Sequence, residues 1–463
     1  MTILSPLTAI SPLDGRYYKN THPLRNIFSE FGLLKFRLQI EIYWLKKLSN
    51  TIEITEISCF NSEEHEFLNN LITHFNISDA KYIKKIEHTT NHDLKAIEYF
   101  LKEKISMFPN LQKKVNEFIH FACTSEDINN LAYGLMITHA KNIIILPMWK
   151  KIIHEIKKLS INYKNIPMLS RTHGQPASPS TVGKEMSNFA YRLIRQYNQL
   201  QSIKILGKIN GAVGNYNAHI IAYPKINWHK FSEEFVISLG MSWNPYTTQI
   251  EPHDYISEIS NCIVRFNIIL INFNQDIWGY IALKYFNQKF NTSEIGSSTM
   301  PHKINPINFE NSEGNLGLAN AIFNHFATKL PISRWQRDLS DSTVLRNLGI
   351  ALGYSLISYQ RVLQGINKLI INKEYLLKEI NENWSILSEA IQTVMRRHNI
   401  HNAYEQTKNF IFNTKNINAV SIKNFIETLP LPDSEKIRLQ QITPSDYIGL
   451  AEKLANNIIN IKE

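Results

Sequence analysis

The chain is poor in cysteine, holds no long uninterrupted apolar run and gathers no basic block, and each shortage excludes a class of protein. Its three cysteines, Cys59, Cys123 and Cys262, are scattered over 463 residues. An odd, dispersed set builds neither a disulfide framework nor a CxxC metal knuckle, and its plain reading is a reducing cytoplasm. The longest strongly apolar stretch, residues 266–275, lies between Arg265 and Asp276. That is about half the length a helix needs to cross a bilayer, so no transmembrane helix and no membrane partner are expected. The opening MTILSPLTAISPLDGRY lacks a basic n-region and is broken by Pro6 and Pro12, so it is not expected to act as a signal peptide. Internal repeats and low-complexity linkers are also missing.

Aromatic residues, in contrast, are plentiful: 23 Phe, 20 Tyr and 7 Trp supply a large core and argue against disorder. The length suggests two or three domains. The net charge is +10, but the lysines are dispersed among Asn and Ile. Dispersed charge does not make a nucleic-acid footprint, and no nucleic-acid partner is expected; some of it helps attract an anionic substrate.

The pattern reads helical almost throughout. Met186, Phe189, Ala190, Leu193, Tyr197 and Leu200 fall three and four apart and predict one long amphipathic helix. Leu345, Leu348, Leu352, Leu356, Tyr359 and Leu363 repeat the spacing. Residues 255–286 are apolar around nearly the whole circumference, which suits a bundle centre or a subunit interface. Several helices longer than about thirty residues are expected, and such lengths favour a bundle shared between chains. Pro109 and Pro167 interrupt the pattern, and beyond about residue 370 the helices shorten between turns such as 430–433.

Against this helical background, polar loop-like segments carry reactive side chains. In SEIGSSTMPHKINP, residues 293–306, Gly296 gives backbone freedom, Ser297, Ser298 and Thr299 offer hydroxyls, and Lys303 adds a positive charge. Such a loop suits closure over an anion, or is a mere connector. In SRTHGQP, residues 170–176, His173 sits in an accessible turn after Pro167, where an imidazole can deliver a proton near neutral pH. His88 and His92 are i,i+4, but neither an HExxH motif nor a third ligand accompanies them, and no metal site is expected. In HFACTSED, residues 120–127, Thr124 and Ser125 read either as carboxylate donors or as a helix N-cap. In SRWQRDLSDSTVLRN, residues 333–347, Ser342 and Arg346 are i,i+4 and are expected on one helix face, a fit for phosphate. GKINGAVG, residues 207–214, lacks the GK[ST] ending of a triphosphate loop.

The run GSSTMPHKINP closely resembles the GSSxMPxKxNP signature of the fumarase/aspartase superfamily. The resemblance implies an all-α, three-domain fumarase/aspartase-like fold with a central long-helix bundle, divided at 1–112, 113–370 and 371–463. It implies that Ser297 is the general base, His173 the general acid, and that Lys303 and the loop stabilise the carbanion beside a carboxylate. Ionising a serine about six pKa units above neutrality costs about 8 kcal/mol, which the same positive groups would offset in part. TTNHDLKA is similar to the adenylosuccinate lyase branch, where Asn91, His92 and Asp93 line the substrate pocket; His88 stands where that branch leads one to expect arginine. By the same resemblance Thr124, Ser125 and Gln249 bind the succinyl portion and His120 is a pocket histidine. Arg337, Ser342 and Arg346 hold a phosphate, with Arg16 and Tyr17 as nucleotide contacts. Ser298, Asn305, Asn311 and Thr343 complete the substrate-binding set, and residues 207–214 become a structural turn. The match runs from about residue 4 to near 455 and most resembles the larger bacterial-type branch. It implies β-elimination of fumarate from small-molecule succinyl-nucleotides, without metal or organic cofactor, in a homotetramer with shared active sites. A sister lyase such as argininosuccinate lyase, a catalytically silent scaffold and a basic nucleic-acid binder are the rival readings.

Overall fold

The computed structural model describes residues 4–115, 117–289, 299–300 and 302–463. The elements that bear on the site are, in chain order, helices α1 (Glu30–Ser49), α2 (Ile77–Thr90), α3 (Asp93–Ser106) and α4 (Ser125–Ala140), then strands β1 (Pro167–Thr172) and β2 (Gln175–Thr181). Helices α5 (Val182–Ser202), α6 (Asp254–Ala282), α7 (Ile307–Lys329), α8 (Ser340–Leu345), α9 (Leu348–Lys368) and α10 (Lys373–Asn381) follow. Shorter helices from Ser388–Arg397 to Ala451–Asn457 close the chain, as the loss of long stripes leads one to expect.

The fold is all-α in class, with three small two-stranded sheets among the described residues. Beside the β1–β2 hairpin, Leu206–Gly207 pairs parallel with Ser242–Trp243, and Phe286–Gln288 pairs antiparallel with Leu369–Ile371. All six stripe residues of α5 are buried, as the 3.6-residue period predicts.

Three expectations need correction. Helices are shorter than expected: α6 has 29 residues and α7 has 23. Among the described residues only the run Ser125–Asn162 exceeds thirty, because α4 continues through a π-helical turn, Lys141–Ile145, into Leu146–Asn162. That run and α6 are also long and apolar enough to cross a membrane, although no single stretch of the sequence looked so. Most of each apolar window is buried within the protein, the pattern of core helices, which pass the same test of length and composition. Finally, α6 is not covered all round: Glu258, Asn261, Arg265, Ile268, Gln275 and Trp278, three, four or seven apart, form one exposed stripe.

The chain divides into two compact units. Unit 1 comprises residues 1–148, 199–267 and 315–358. Its core includes Leu38, Ile42, Trp44 and Leu45 of α1, Ala96, Ile97 and Leu101 of α3, and Ile128, Leu131 and Ala132 of α4, all essentially inaccessible. Unit 2 comprises residues 149–198, 268–314 and 359–463. In it Leu169 of β1 packs with Ile380 and Ile386, while Ile391, Met395, Ile422 and Ile426 form a separate C-terminal core.

Candidate active site

In unit 1 the expected substrate-binding residues are held by charge pairs and helix caps. His92 caps α3, its Nδ1 accepting the Lys95 N–H at 3.1 Å, and Asn91 ends α2 in the left-handed region at φ 52°. Asp93, the first residue of α3, lies 2.8 Å from the buried Arg37 and 3.1 Å from Arg346. Burial pushes the Asp93 carboxyl up, but the two guanidiniums outweigh it and its pKa sits below the usual carboxylate value. Arg346 also reaches Glu30 at 2.7 Å, and Glu30 reaches Lys84 at 3.1 Å. Ser342 and Thr343 lie in α8, which ends at Leu345, and Arg346 is its C-cap in helical conformation. Arg337 pairs with Glu126 at 2.8 Å.

Thr124 is the N-cap of α4, and its N–H donates to the Asp127 carboxylate at 2.8 Å, so the capping reading of the Thr-Ser pair is realised. Asp127 accepts in addition from the N–H groups of Asn210 (2.9 Å) and Gly211 (3.1 Å) and pairs with Lys208 at 2.9 Å, both side chains fully buried. Residues 207–214 are therefore a turn welded to the start of α4. Gly214, at φ 84°, is required there: a Cβ would lie 2.4 Å from the Thr247 carbonyl oxygen. The Ala212 carbonyl of the same turn accepts from Gln249 Nε2 at 3.0 Å. His120, at φ 60°, places Nδ1 2.6 Å from the buried Glu41. Burial works to lower its pKa, but Glu41 wins and raises it. Arg16 is exposed and lies over the Tyr17 ring at 6.0 Å; Tyr17 is half-buried.

In unit 2, β1 and β2 pair from Pro167–Thr181 to Thr172–Gln175, leaving His173 and Gly174 as a two-residue turn. Both have positive φ, 54° and 77°, as the tightest hairpins demand. The imidazole is exposed at the tip. Below it Arg171 bonds to Glu379 of α10 and, at 3.2 Å through Nε, to the Tyr285 hydroxyl, which itself donates to Glu379. Burial, and then Glu379, push the Tyr285 phenol up to about 12. Lys303 is exposed, its N–H donating to the Met300 carbonyl at 3.1 Å; Asn305 and Asn311 are half-buried. Ser297 and Ser298 lie outside the described residues.

Comparison with known proteins gives the family. A lyase family model matches residues 15–321, and an adenylosuccinate lyase C-terminal model matches 333–448. The chain is 61% identical to the adenylosuccinate lyase of Haemophilus influenzae over 98% of its own length and 99% of that protein. The chain belongs to the adenylosuccinate lyase family. Adenylosuccinate lyases of Escherichia coli K12 and Vibrio cholerae are each 59% identical over 98% of this chain and 99% and 100% of theirs. A 3-carboxy-cis,cis-muconate lactonizing enzyme from Pseudomonas putida shares the fold alone: TM-score 0.72 at 17% identity, covering 95% of this chain and 96% of that one.

For a member of the adenylosuccinate lyase family, the supporting residues that sequence reading missed are Arg37, Glu41, Asp127 and Lys208. Arg37 and Glu41 stand i,i+4 on a helix and are each 1% exposed, but the sequence did not single them out, because Lys35, Gln39, Lys46 and Lys47 share the same stretch. Lys208 gave no signal, because its partner lies 81 positions away in the chain.

Proposed function

We propose that this chain eliminates fumarate from adenylosuccinate, giving AMP, and from the succinyl-aminoimidazole-carboxamide ribonucleotide SAICAR, giving AICAR. The identity of about 60% along nearly the whole chain to proteins named adenylosuccinate lyase carries this reading. In it Ser297 removes the proton from the carbon beside one succinyl carboxylate. The electron pair passes into that carboxylate as an aci-carboxylate, stabilised by Lys303 and neighbouring amides. The double bond of fumarate then forms as the C–N bond breaks, and His173 protonates the departing nitrogen. Thr124, Ser125 and Gln249 would grip the succinyl end and Arg337, Ser342 and Arg346 the phosphate.

The positions of these groups support such roles. Thr124 and Ser125 open a helix whose first turn offers N–H groups to a carboxylate, and His173 is solvent-accessible on a hairpin braced by Arg171, Tyr285 and Glu379. We assign the protein to the cytoplasm, in keeping with its three free thiols. We also assign it a homotetrameric state with active sites shared between subunits. The exposed stripe on α6, with Ile268 51% and Trp278 48% accessible, supports that assignment. Argininosuccinate lyase chemistry is not favoured, since its substrate has no phosphate for the arginine cluster.

Arg346→Ala tests the nucleotide end. Binding of AMP is expected to fall at least about tenfold, as for a lost charge-assisted pair, while adenosine binds unchanged. Equal weakening of both would sink the phosphate role.

A further inference from the structure

Arg346 is already engaged by two carboxylates, and they differ in how firmly they are held. Asp93 is gripped a second time by Arg37, a side chain 2% exposed at 2.8 Å, and it forms a fixed part of the wall. Glu30 has no such anchor. Its side chain is 39% exposed, and its other partner is Lys84 at 3.1 Å, an exposed lysine that also holds Glu87. Glu30 is the first residue of α1, directly after the Ser29 N-cap, where the helix dipole favours a negative charge whether or not Arg346 is bound. One carboxylate thus sits between two cations and can leave one while keeping the other.

We propose that Glu30 is a displaceable counter-ion that sets the affinity of the protein for phosphorylated ligands. In the free protein it is the second carboxylate on Arg346, beside Asp93. An arriving phosphate, with up to two charges and three acceptor oxygens, outcompetes a solvent-exposed carboxylate for the guanidinium. Glu30 then remains on Lys84. When the phosphorylated product departs, Glu30 returns to Arg346 beside Asp93, and product release is eased. This rests on the reading of Arg346 as a phosphate ligand. It adds a residue whose role is to oppose binding, which the contact pattern singles out because Glu30 alone bridges Arg346 to a second exposed cation among the described residues.

The test is calorimetric titration of AMP, inorganic phosphate and adenosine into the purified full-length protein and its variants. Glu30→Gln is expected to bind AMP and phosphate about twofold to fivefold more tightly, the range for an exposed ion pair, with adenosine unchanged. Lys84→Ala is expected to weaken AMP binding, because Glu30 then leans on Arg346 alone, and that weakening vanishes in the Glu30→Gln/Lys84→Ala double variant. If Arg346→Ala weakens AMP binding but Glu30→Gln leaves it unchanged or weaker, the counter-ion role is overturned while the phosphate reading stands. A Lys84→Ala effect that persists in the double variant overturns it too, by making Lys84 a direct ligand. If Arg346→Ala has no effect on AMP, the phosphate reading falls and the proposal with it.

Discussion

His219 shows how much a single buried residue can fix. It is fully buried, it contacts the rings of Trp44, Tyr216 and Trp228, and neither ring nitrogen has a hydrogen-bond partner. Burial drives its pKa down to about 4, with Lys208 adding to the effect and Asp127 opposing it. The unfolded chain therefore takes up this proton first, near pH 6.5. Stability is lost as pH falls from about 6.5 towards 4, and no further below that. At 1.36 kcal/mol per pH unit, a drop from 6.5 to about 4 amounts to about 3 kcal/mol. The His120–Glu41 pair has the opposite sign: its raised pKa gives stability that is complete below about 6.5 and fades as pH rises through the folded value. His219→Phe, which suits the aromatic surroundings, is expected to flatten the fall in melting temperature between pH 6.5 and 4.5. An unchanged slope would show that another group controls acid unfolding.

At the scale of elements, the start of α4 and the turn 207–214 form one unit because the Asp127 carboxylate serves both. Three backbone N–H groups and Lys208 Nζ converge on it, and neither charged side chain reaches solvent. Breaking one side of such a pair leaves the other buried without compensation. Asp127→Asn is therefore expected to cost about 3–5 kcal/mol in urea unfolding at neutral pH, far more than a surface pair. A loss below about 1 kcal/mol would mean that the weld contributes little. The same element should also bind the succinyl carboxylates less well, since Thr124 and the Gln249-bound Ala212 carbonyl are held through it.

Elements of this kind were unevenly legible in the sequence. The stripe of α5 could be read because burial on a helix repeats every three to four residues; the second stripe holds from Leu348 to Tyr359, but Leu345 belongs to α8 and Leu363 is only half-buried. The β1–β2 hairpin could not be read, since Pro176 and Pro179 argue against a strand. The His173-Gly174 pair was its only local sign, being a two-residue turn with both φ positive. The charge clamp on Arg346 was hidden for a different reason. Its partners Glu30 and Asp93 lie 316 and 253 positions away, and pairing at that range is a product of the fold.

For the whole molecule, the family is established by full-length similarity. Among the described residues, unit 1 carries most of the candidate substrate-binding residues, Arg16 and Arg346 included, and unit 2 carries His173 and Lys303. In the proposed reaction this chain expels fumarate from a succinyl-nucleotide, with Ser297 taking the proton. The most direct measurement is to add adenosine-containing succinyl-nucleotide, adenylosuccinate, to the chelator-treated protein and to its Ser297→Ala variant, and to quantify fumarate and AMP. Equimolar release by the natural protein is expected, with a rate at least about a thousandfold lower in the variant and adenylosuccinate still bound. No release by the natural protein, or a Ser297→Ala variant with full turnover, would contradict it.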